Sequence, residues 1–435
     1  MDPLYVAGLS IIILFVLLFL RLPVAFVMLV IAIPGYAYLT NFEAALSISA
    51  QTMYTNFASY SLIVVPLFVW MGFIAFYSGL SSKIYDATYK IIGAFPGGLS
   101  MATIAACTAF GAICGSTTAT AATMTAVALP EMTRHEYKRS LSTATIAAAA
   151  ILGVMIPPSV IFILYGVASG TSISQLFLAG IFPGLLLMAL FMLVVYFSAL
   201  RDPSVAPAGP KIPAIDKLKA LFSGGMEVVV IFIAVMGGLF LGYFTPTEAG
   251  GVGAFATLIV SLVRRTLSWQ GFISSTADAV RLSAMILFLT GAAFIYGRFL
   301  GVAGLPTYVA TMAVEAPFSP TVVLILVLVV YLILGLFIDA LALILMTTPI
   351  FYPVAVTLGY DPIWFGVIVV LALGMGVITP PVGANVYVVA GVAKDMDVME
   401  IFKGIWVFLL AIIVCIALLF AFPQIALFLP ALARG

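Results

Sequence analysis

Two Pro-Pro pairs interrupt apolar runs of this chain, one in Gly153-Val154-Met155-Ile156-Pro157-Pro158-Ser159 and one in Gly376-Val377-Ile378-Thr379-Pro380-Pro381-Val382-Gly383. They lie 223 residues apart in a chain of 435. A proline pair removes two backbone donors and frees carbonyls of the preceding turn. In hydrocarbon each unsatisfied backbone group costs several kcal/mol. Such breaks persist only where they are packed in protein or line a polar cavity. Paired breaks in corresponding halves of a chain point to the binding site of a secondary transporter.

The surrounding runs are of the kind that cross bilayers. Hydrophobic residues make up 64% of the chain and charged residues 8%, against about 25% charge in an ordinary soluble domain. The expected fold class is an all-α polytopic membrane protein, because the runs are too long and too uniformly apolar for alternating barrel strands. A net charge of +1 gives no basic footprint, so no nucleic-acid partner is expected. Cys107, Cys114 and Cys415 lie in apolar runs and make neither a disulfide framework nor a metal spacing. The single histidine, His135, lies in the charged stretch Arg134 to Arg139 and reads as a surface residue. No intramembrane cluster of His, Asp, Glu or Cys suggests an enzyme. The first run, Leu4 to Leu20, has no basic leader and no small-residue cleavage site, and reads as a retained helix.

Apolar segments fall at about 4–20, 23–39, 61–80, 99–132, 141–168, 176–200, 226–244, 248–263, 283–300, 320–358, 362–393 and 404–422. Those at 99–132 and 320–358 are too long for one straight span of about 20 residues, and each reads as a re-entrant hairpin. With both treated so, and the N-terminus outside, every basic residue but Arg298 and Arg434 of the 17 falls on the cytoplasmic side. Threading either hairpin as a single span scrambles that pattern, so the charges support two hairpins, one opening to each side. Residues 201–225 read as a cytoplasmic linker between a first repeat, 1–200, and a second, 226–435. Short mixed segments at 81–95 and 303–317 read as amphipathic arms along opposite membrane faces.

The halves match beyond the two breaks. At one offset of 223, Pro23 aligns with Pro246, Pro130 with Pro353, Pro157 with Pro380, Pro158 with Pro381, and Pro207 with Pro430, the last outside any matching segment. At 225, Gly79-Leu80 aligns with Gly304-Leu305 and Gly166-Val167-Ala168 with Gly391-Val392-Ala393. Composition alone gives fewer than one proline coincidence at a fixed offset, so the self-similarity is real. Halves entering from opposite sides make an inverted-topology repeat, with its site near the midplane.

Each half then supplies a hairpin tip and a broken helix: Gly115-Ser116-Thr117-Thr118-Ala119-Thr120 with Ile156 to Ser159, and Gly335-Leu336-Phe337-Ile338-Asp339-Ala340 with Thr379 to Asn385. Unpaired carbonyls suit a hard cation such as Na⁺, and half-helix N-termini suit an anionic group. Asp339 is the one acidic residue deep in an apolar segment. It reads either as a cation ligand, because intramembrane carboxylates are costly, or as the N-cap of the hairpin's second helix. Glu248, in Thr245-Pro246-Thr247-Glu248, reads as a helix start. Arg298 reads as an interfacial anchor rather than a substrate ligand.

The runs Gly115 to Ala122, Ile156 to Ser159, Thr245 to Ala249 and Ile378 to Asn385 resemble, in order and over essentially the whole chain, the large membrane subunit of tripartite ATP-independent periplasmic (TRAP) transporters. Relatives are expected to carry Ser-Ser or Ser-Ala where this tip has Ser116-Thr117-Thr118. The resemblance implies Na⁺-coupled uptake of an organic acid across a bacterial inner membrane, with the N-terminus periplasmic and no cofactor besides the coupling ion. It implies an elevator in which hairpins and broken helices move against a scaffold. Its implied partners are a periplasmic solute-binding protein and a separate small four-helix membrane subunit, the two repeats having used every apolar segment. Carried over by motif, Gly115, Ser116, Thr117 and Pro157 would hold one cation, and Gly335, Asp339, Gly376 and Thr379 another. Thr118, Pro158, Ser159, Pro381, Gly383 and Asn385 would face the substrate. The competing expectation is a stand-alone Na⁺/carboxylate symporter of similar architecture.

Overall fold

The computed structural model describes residues 2–210, 212–220, 222, 226–394 and 396–433. Lys211 and Arg434, both used in the charge threading, and most of linker residues 221–225 lie outside them. The first half runs α1 (Pro3–Phe19), α2 (Val24–Leu39), α3 (Phe42–Phe57), α4 (Val64–Tyr77), α5 (Leu80–Ile92), α6 (Gly98–Cys114), α7 (Thr117–Arg134), α8 (Arg139–Ala149), α9 (Leu152–Met155), α10 (Val160–Ser169) and α11 (Ile173–Arg201). A short α12 (Ala214–Ala220) follows. The second half runs α13 (Met226–Phe240), α14 (Pro246–Val263), α15 (Trp269–Val302), α16 (Leu305–Glu315), α17 (Pro320–Gly335), α18 (Ala340–Thr357), α19 (Pro362–Gly376), α20 (Ala384–Val392), α21 (Val398–Ala421) and α22 (Gln424–Leu432).

Among the described residues six helical stretches are long and apolar enough to cross a membrane, α4 counting from the turn at Tyr60. The pair Arg139–Met155 with Val160–Ser169, bent by 45° at the first Pro-Pro break, makes a seventh if it is counted as one span. Other apolar helices stop at 10–17 residues. The repeat is visible in how elements begin. Gly79 and Gly304, aligned by sequence, both sit in the left-handed region (φ 70° and 76°) and start α5 and α16. Only glycine adopts that conformation without strain. Pro130 and Pro353 lie inside α7 and α18. Both Pro-Pro bonds are cis.

Both long segments are hairpins with their ends together. At the base of α6–α7, Gly97 N–H donates to Ala206 O (3.1 Å) and Lys138 N–H donates to Val205 O (3.0 Å). The entrance and exit of the hairpin are thus tied to one strap of the linker. Tyr137 Oη donates to Pro207 O (2.7 Å) and accepts from Leu99 N–H (3.2 Å). At the base of α17–α18, Tyr360 Oη donates to Thr321 Oγ1 (3.4 Å). Tyr137→Phe removes two hydrogen bonds from a buried site and is expected to cost about 1–3 kcal/mol. Thermal unfolding of the purified protein checks it; a melting curve identical to the parent's would mean that the strap is held by other contacts.

The halves are interlocked rather than stacked. α14 packs on α4 and α15 on α2. Each hairpin's second leg packs on the other half's broken helix, α7 on α20 and α18 on α10. The sequence-equivalent helices α8 and α19 form the centre. Every residue of α8 from Leu141 onward is buried, as is α19 from Ile363 to Gly374. A helix apolar all round belongs in such a position. Hydroxyls within these apolar surroundings bond back along their own helices, as Thr103, Thr108, Thr125 and Thr347 do to the carbonyl four residues earlier.

The spans differ from the sequence expectation in two places. The segment expected at 283–300 is the end of the 34-residue α15. Its counterpart in the first half is divided into α3 and α4, and α3 was not among the apolar segments. Gln51, Thr52, Thr55 and Asn56 lower its hydropathy. Its start was nevertheless marked: Asn41 Oδ1 caps Ala44 N–H (2.8 Å), with Glu43 in the first turn.

Candidate functional site

Tip one is built by two helix ends meeting at Gly115. α6 closes there in the left-handed region (φ 61°), Gly115 N–H donating to Gly111 O (2.9 Å). Ser116 is extended and caps α7, its Oγ accepting from Ala119 N–H (3.4 Å) and lying 3.3 Å from Thr118 Oγ1. Thr120 Oγ1 donates to Ser116 O (2.7 Å). The first break lies directly behind this turn. A Cβ added to Gly115 would stand 3.0 Å from Pro158 O. One added to Gly153 would stand 2.8 Å from Thr120 Oγ1 and 3.2 Å from Ser116 O. Glycine is therefore required at both positions, and oxygens of tip and break converge on them. Pro157, Pro158 and Ser159 are buried, Ser159 capping α10 through Phe162 N–H (3.4 Å).

Tip two is built differently. α17 ends at Gly335, and Asp339 caps α18, its carboxylate accepting from Leu341 N–H (2.9 Å). The tip meets its own break at a glycine pair, where a Cβ on Gly376 would stand 3.0 Å from Gly335 Cα. The first half has the equivalent pair, Gly111 against Gly153. Beyond Gly376 the chain turns through Thr379, whose Oγ1 donates to Met375 O (2.6 Å), to Gly383 at φ 57°. Asn385 then reaches across to the first half, its Nδ2 donating to Ala147 O (3.3 Å). Its side chain is fully buried, and Oδ1 has no partner among the described residues.

The two tips share one cavity of about 280 Å³. Cys114 to Ala119 line it from tip one, and Asp339 to Leu341 from tip two. Val154, Val160 and Ile161 contribute from around the first break. The opposite wall is Val69, Gly72, Phe73 and Phe76 of α4 with Leu282, Met285 and Ile286 of α15. The structure thus brings together Gly115, Ser116, Thr117, Thr118 and Asp339. Pro157, Pro158 and Ser159 lie behind tip one, and Gly335 lies behind tip two against Gly376. Gly376, Thr379, Pro381, Gly383 and Asn385 do not line this cavity, and Pro381 is exposed elsewhere. Asp339 thus shares this cavity with the hydroxyls of tip one. Its capping role is present, whatever else it does.

Gly72 and Thr120 were not singled out in the sequence. Gly72 lets α4 touch tip one at backbone distance, since a Cβ there would stand 2.9 Å from Cys114 Cα. A lone glycine in an apolar run carries no readable signal of that contact. Thr120 was within the tip motif, and only its neighbours were assigned roles. Glu248 is a helix start: it closes a capping box with Thr245, accepting from Thr245 N–H (2.8 Å) while its own N–H donates to Thr245 Oγ1 (3.3 Å). Among the described residues no group of His, Cys, Asp and Glu could hold a metal ion by itself.

Comparison with known proteins is concordant over nearly the whole chain. Residues 11–425 match the family model described as "Tripartite ATP-independent periplasmic transporter, DctM component". The sialic acid TRAP transporter large permease protein SiaM of Vibrio cholerae is 33% identical, over 96% of this chain and 97% of that one. The 2,3-diketo-L-gulonate TRAP transporter large permease protein YiaN of Escherichia coli is 33% identical over 86% and 87%. The isethionate TRAP transporter permease protein DctMQ of Oleidesulfovibrio alaskensis is 36% identical over 86% of this chain, which spans only 61% of that longer protein. In fold, the YdaH transporter of Alcanivorax borkumensis, described as having an unusual topology, superposes with a TM-score of 0.64 at 16% identity, covering 88% of this chain and 90% of that one. The hairpins, the broken helices and these matches place this multi-pass membrane chain in the DctM family, the large permease subunits of TRAP transporters.

Proposed function

We propose that this permease carries an organic acid inward across a bacterial inner membrane, driven by sodium, with hairpins and broken helices moving together as a carrier against a scaffold of α1–α4 and α13–α15. The observation that carries the reading is the cavity between the tips. One wall is hydroxyls and a carboxylate from two hairpins, and the other is apolar scaffold. A Na⁺ ion suits the oxygens gathered at Gly115, Ser116, Thr120, Gly153 and Pro158, because a hard cation takes neutral oxygen ligands without needing a charge cluster. Asp339 adds the one fixed negative charge nearby. An acid in the same cavity would be held by the N-terminus of α7 and the Ser/Thr hydroxyls.

The names of relatives suggest the partners: a small membrane subunit, which the DctMQ name joins to the large one, and a periplasmic binding protein that delivers the acid. The N-terminus would face the periplasm. Reconstitution tests this set. Liposomes holding the chain with its small subunit are expected to accumulate radiolabelled acid only with a sodium gradient and a loaded binding protein together. Uptake by the chain alone would favour the stand-alone symporter; uptake that ignores sodium would end the coupling proposal.

A further inference from the structure

The halves differ most where α3 gives way to α4. In the second half the same stretch is the unbroken α15, and in the first it is interrupted between Phe57 and Val64. That interruption opens a second cavity, of about 400 Å³, well apart in composition from the one between the tips. Its polar lining is Thr52, Thr55, Asn56 and Ser59 with Arg298 of α15. Val167 of α10 and Pro349 of α18 close it from the hairpin group, so it straddles the seam across which the carrier would move.

We propose that this second cavity binds an organic anion that also bears a hydrogen-bond donor, such as a hydroxycarboxylate, as a station at the scaffold–carrier seam. The proposal rests on the reading of the chain as an organic-acid permease. Three observations carry it. Arg298 forms no ion pair among the described residues, and a guanidinium keeps its charge at any working pH. Thr52 Oγ1 and Asn56 Oδ1 are buried, each residue only 3% exposed, and neither atom has a hydrogen-bond partner among the described residues. Native structures leave few such groups unmet. The orientation of Asn56 is fixed, because its Nδ2 donates to Leu287 O (2.8 Å) and its Oδ1 must then face away as an acceptor. A guanidinium selects a carboxylate or sulfonate, the amide oxygen selects a donor, and the Thr52 hydroxyl serves either. An interfacial anchor, the role the sequence suggested for Arg298, needs none of this polar lining.

Cysteine labelling tests the site without requiring transport. Thr55→Cys, and independently Ser59→Cys, are made in the full chain with Cys107, Cys114 and Cys415 replaced by alanine, and placed in phosphatidylcholine nanodiscs. Anionic sulfonatoethyl methanethiosulfonate is expected to label either cysteine about tenfold faster, relative to its cationic trimethylammonium counterpart, than in the same protein carrying Arg298→Gln. Arg298→Lys should keep most of that preference. Millimolar glycolate should slow labelling, and propionate, which has the carboxylate but no hydroxyl, should slow it less. No labelling at either position, a preference indifferent to Arg298→Gln, or equal protection by the two acids would overturn the proposal. Loss of labelling on adding phosphatidylglycerol, with no effect of glycolate, would assign the site to a lipid headgroup and overturn it too. Failure of sodium-driven uptake alongside a positive labelling result would instead count against the permease reading alone.

Discussion

Asp339→Asn is expected to lose sodium-driven uptake as completely as Asp339→Ala, although the two substitutions treat the fold differently. The carboxylate caps α18 through Leu341 N–H. Asparagine caps almost as well as aspartate, whereas alanine forfeits about 1 kcal/mol. Stability should therefore separate the variants, with alanine lower and asparagine near the parent. Function should not separate them if the charge matters. A unit charge about 4 Å from a cation at an effective dielectric of 20 is worth up to about 4 kcal/mol. Losing even 2–3 kcal/mol of it raises the half-saturating sodium concentration roughly 30- to 150-fold. Sodium titrations of uptake, run beside thermal unfolding, give both numbers. An asparagine variant with the parent's sodium curve would reduce Asp339 to a helix cap.

That test is needed because the sequence could say where Asp339 sits in a repeat but not what it faces. Segment lengths and charge threading were enough to read two hairpins and two arms, and proline and glycine offsets to pair the broken helices as a repeat, since backbone breakers act locally and recur at a fixed period. The pairing between halves is a different kind of information. Asp339 was expected beside Gly376 and Thr379, its own half's break. The structure does put Gly335 against Gly376, and it also brings Asp339 to the cavity lined by Ser116, Thr117 and Thr118 of the other half. An internal repeat identifies equivalent positions, and only the interlocking of α7 with α20 and α18 with α10 decides which of them meet. The same limit hid Gly72. Its role depends on Cys114 arriving opposite it, which no local pattern encodes. Helix α3 was missed for a simpler reason: the hydroxyl and amide residues that make its cavity polar are those that depress its hydropathy.

Gly72→Val and Gly111→Val are expected to behave oppositely, and the difference tests whether the hairpins move as a body. Both substitutions put a side chain where backbone already lies. At Gly111 the neighbour is Gly153, a Cβ standing 2.9 Å from its N and closer to its Cα. In the proposed elevator, hairpin and broken helix belong to the same carrier, so that clash would persist throughout the cycle. Overpacking of this kind costs about 1–3 kcal/mol, and Gly111→Val should lower the melting temperature and the uptake together. At Gly72 the neighbour is Cys114, across the seam between α4 and tip one. If the carrier slides along α4, this contact exists in one state and not in the other. The protein escapes the clash by shifting population, since a perturbation acts on an equilibrium only through the difference it makes between states. A 2–3 kcal/mol penalty on one state moves the balance roughly 30- to 150-fold. Gly72→Val should then lose more than about tenfold in uptake while unfolding close to the parent temperature. Equal destabilisation by the two substitutions would mean that α4 and tip one never part, and a fixed contact there is incompatible with an elevator.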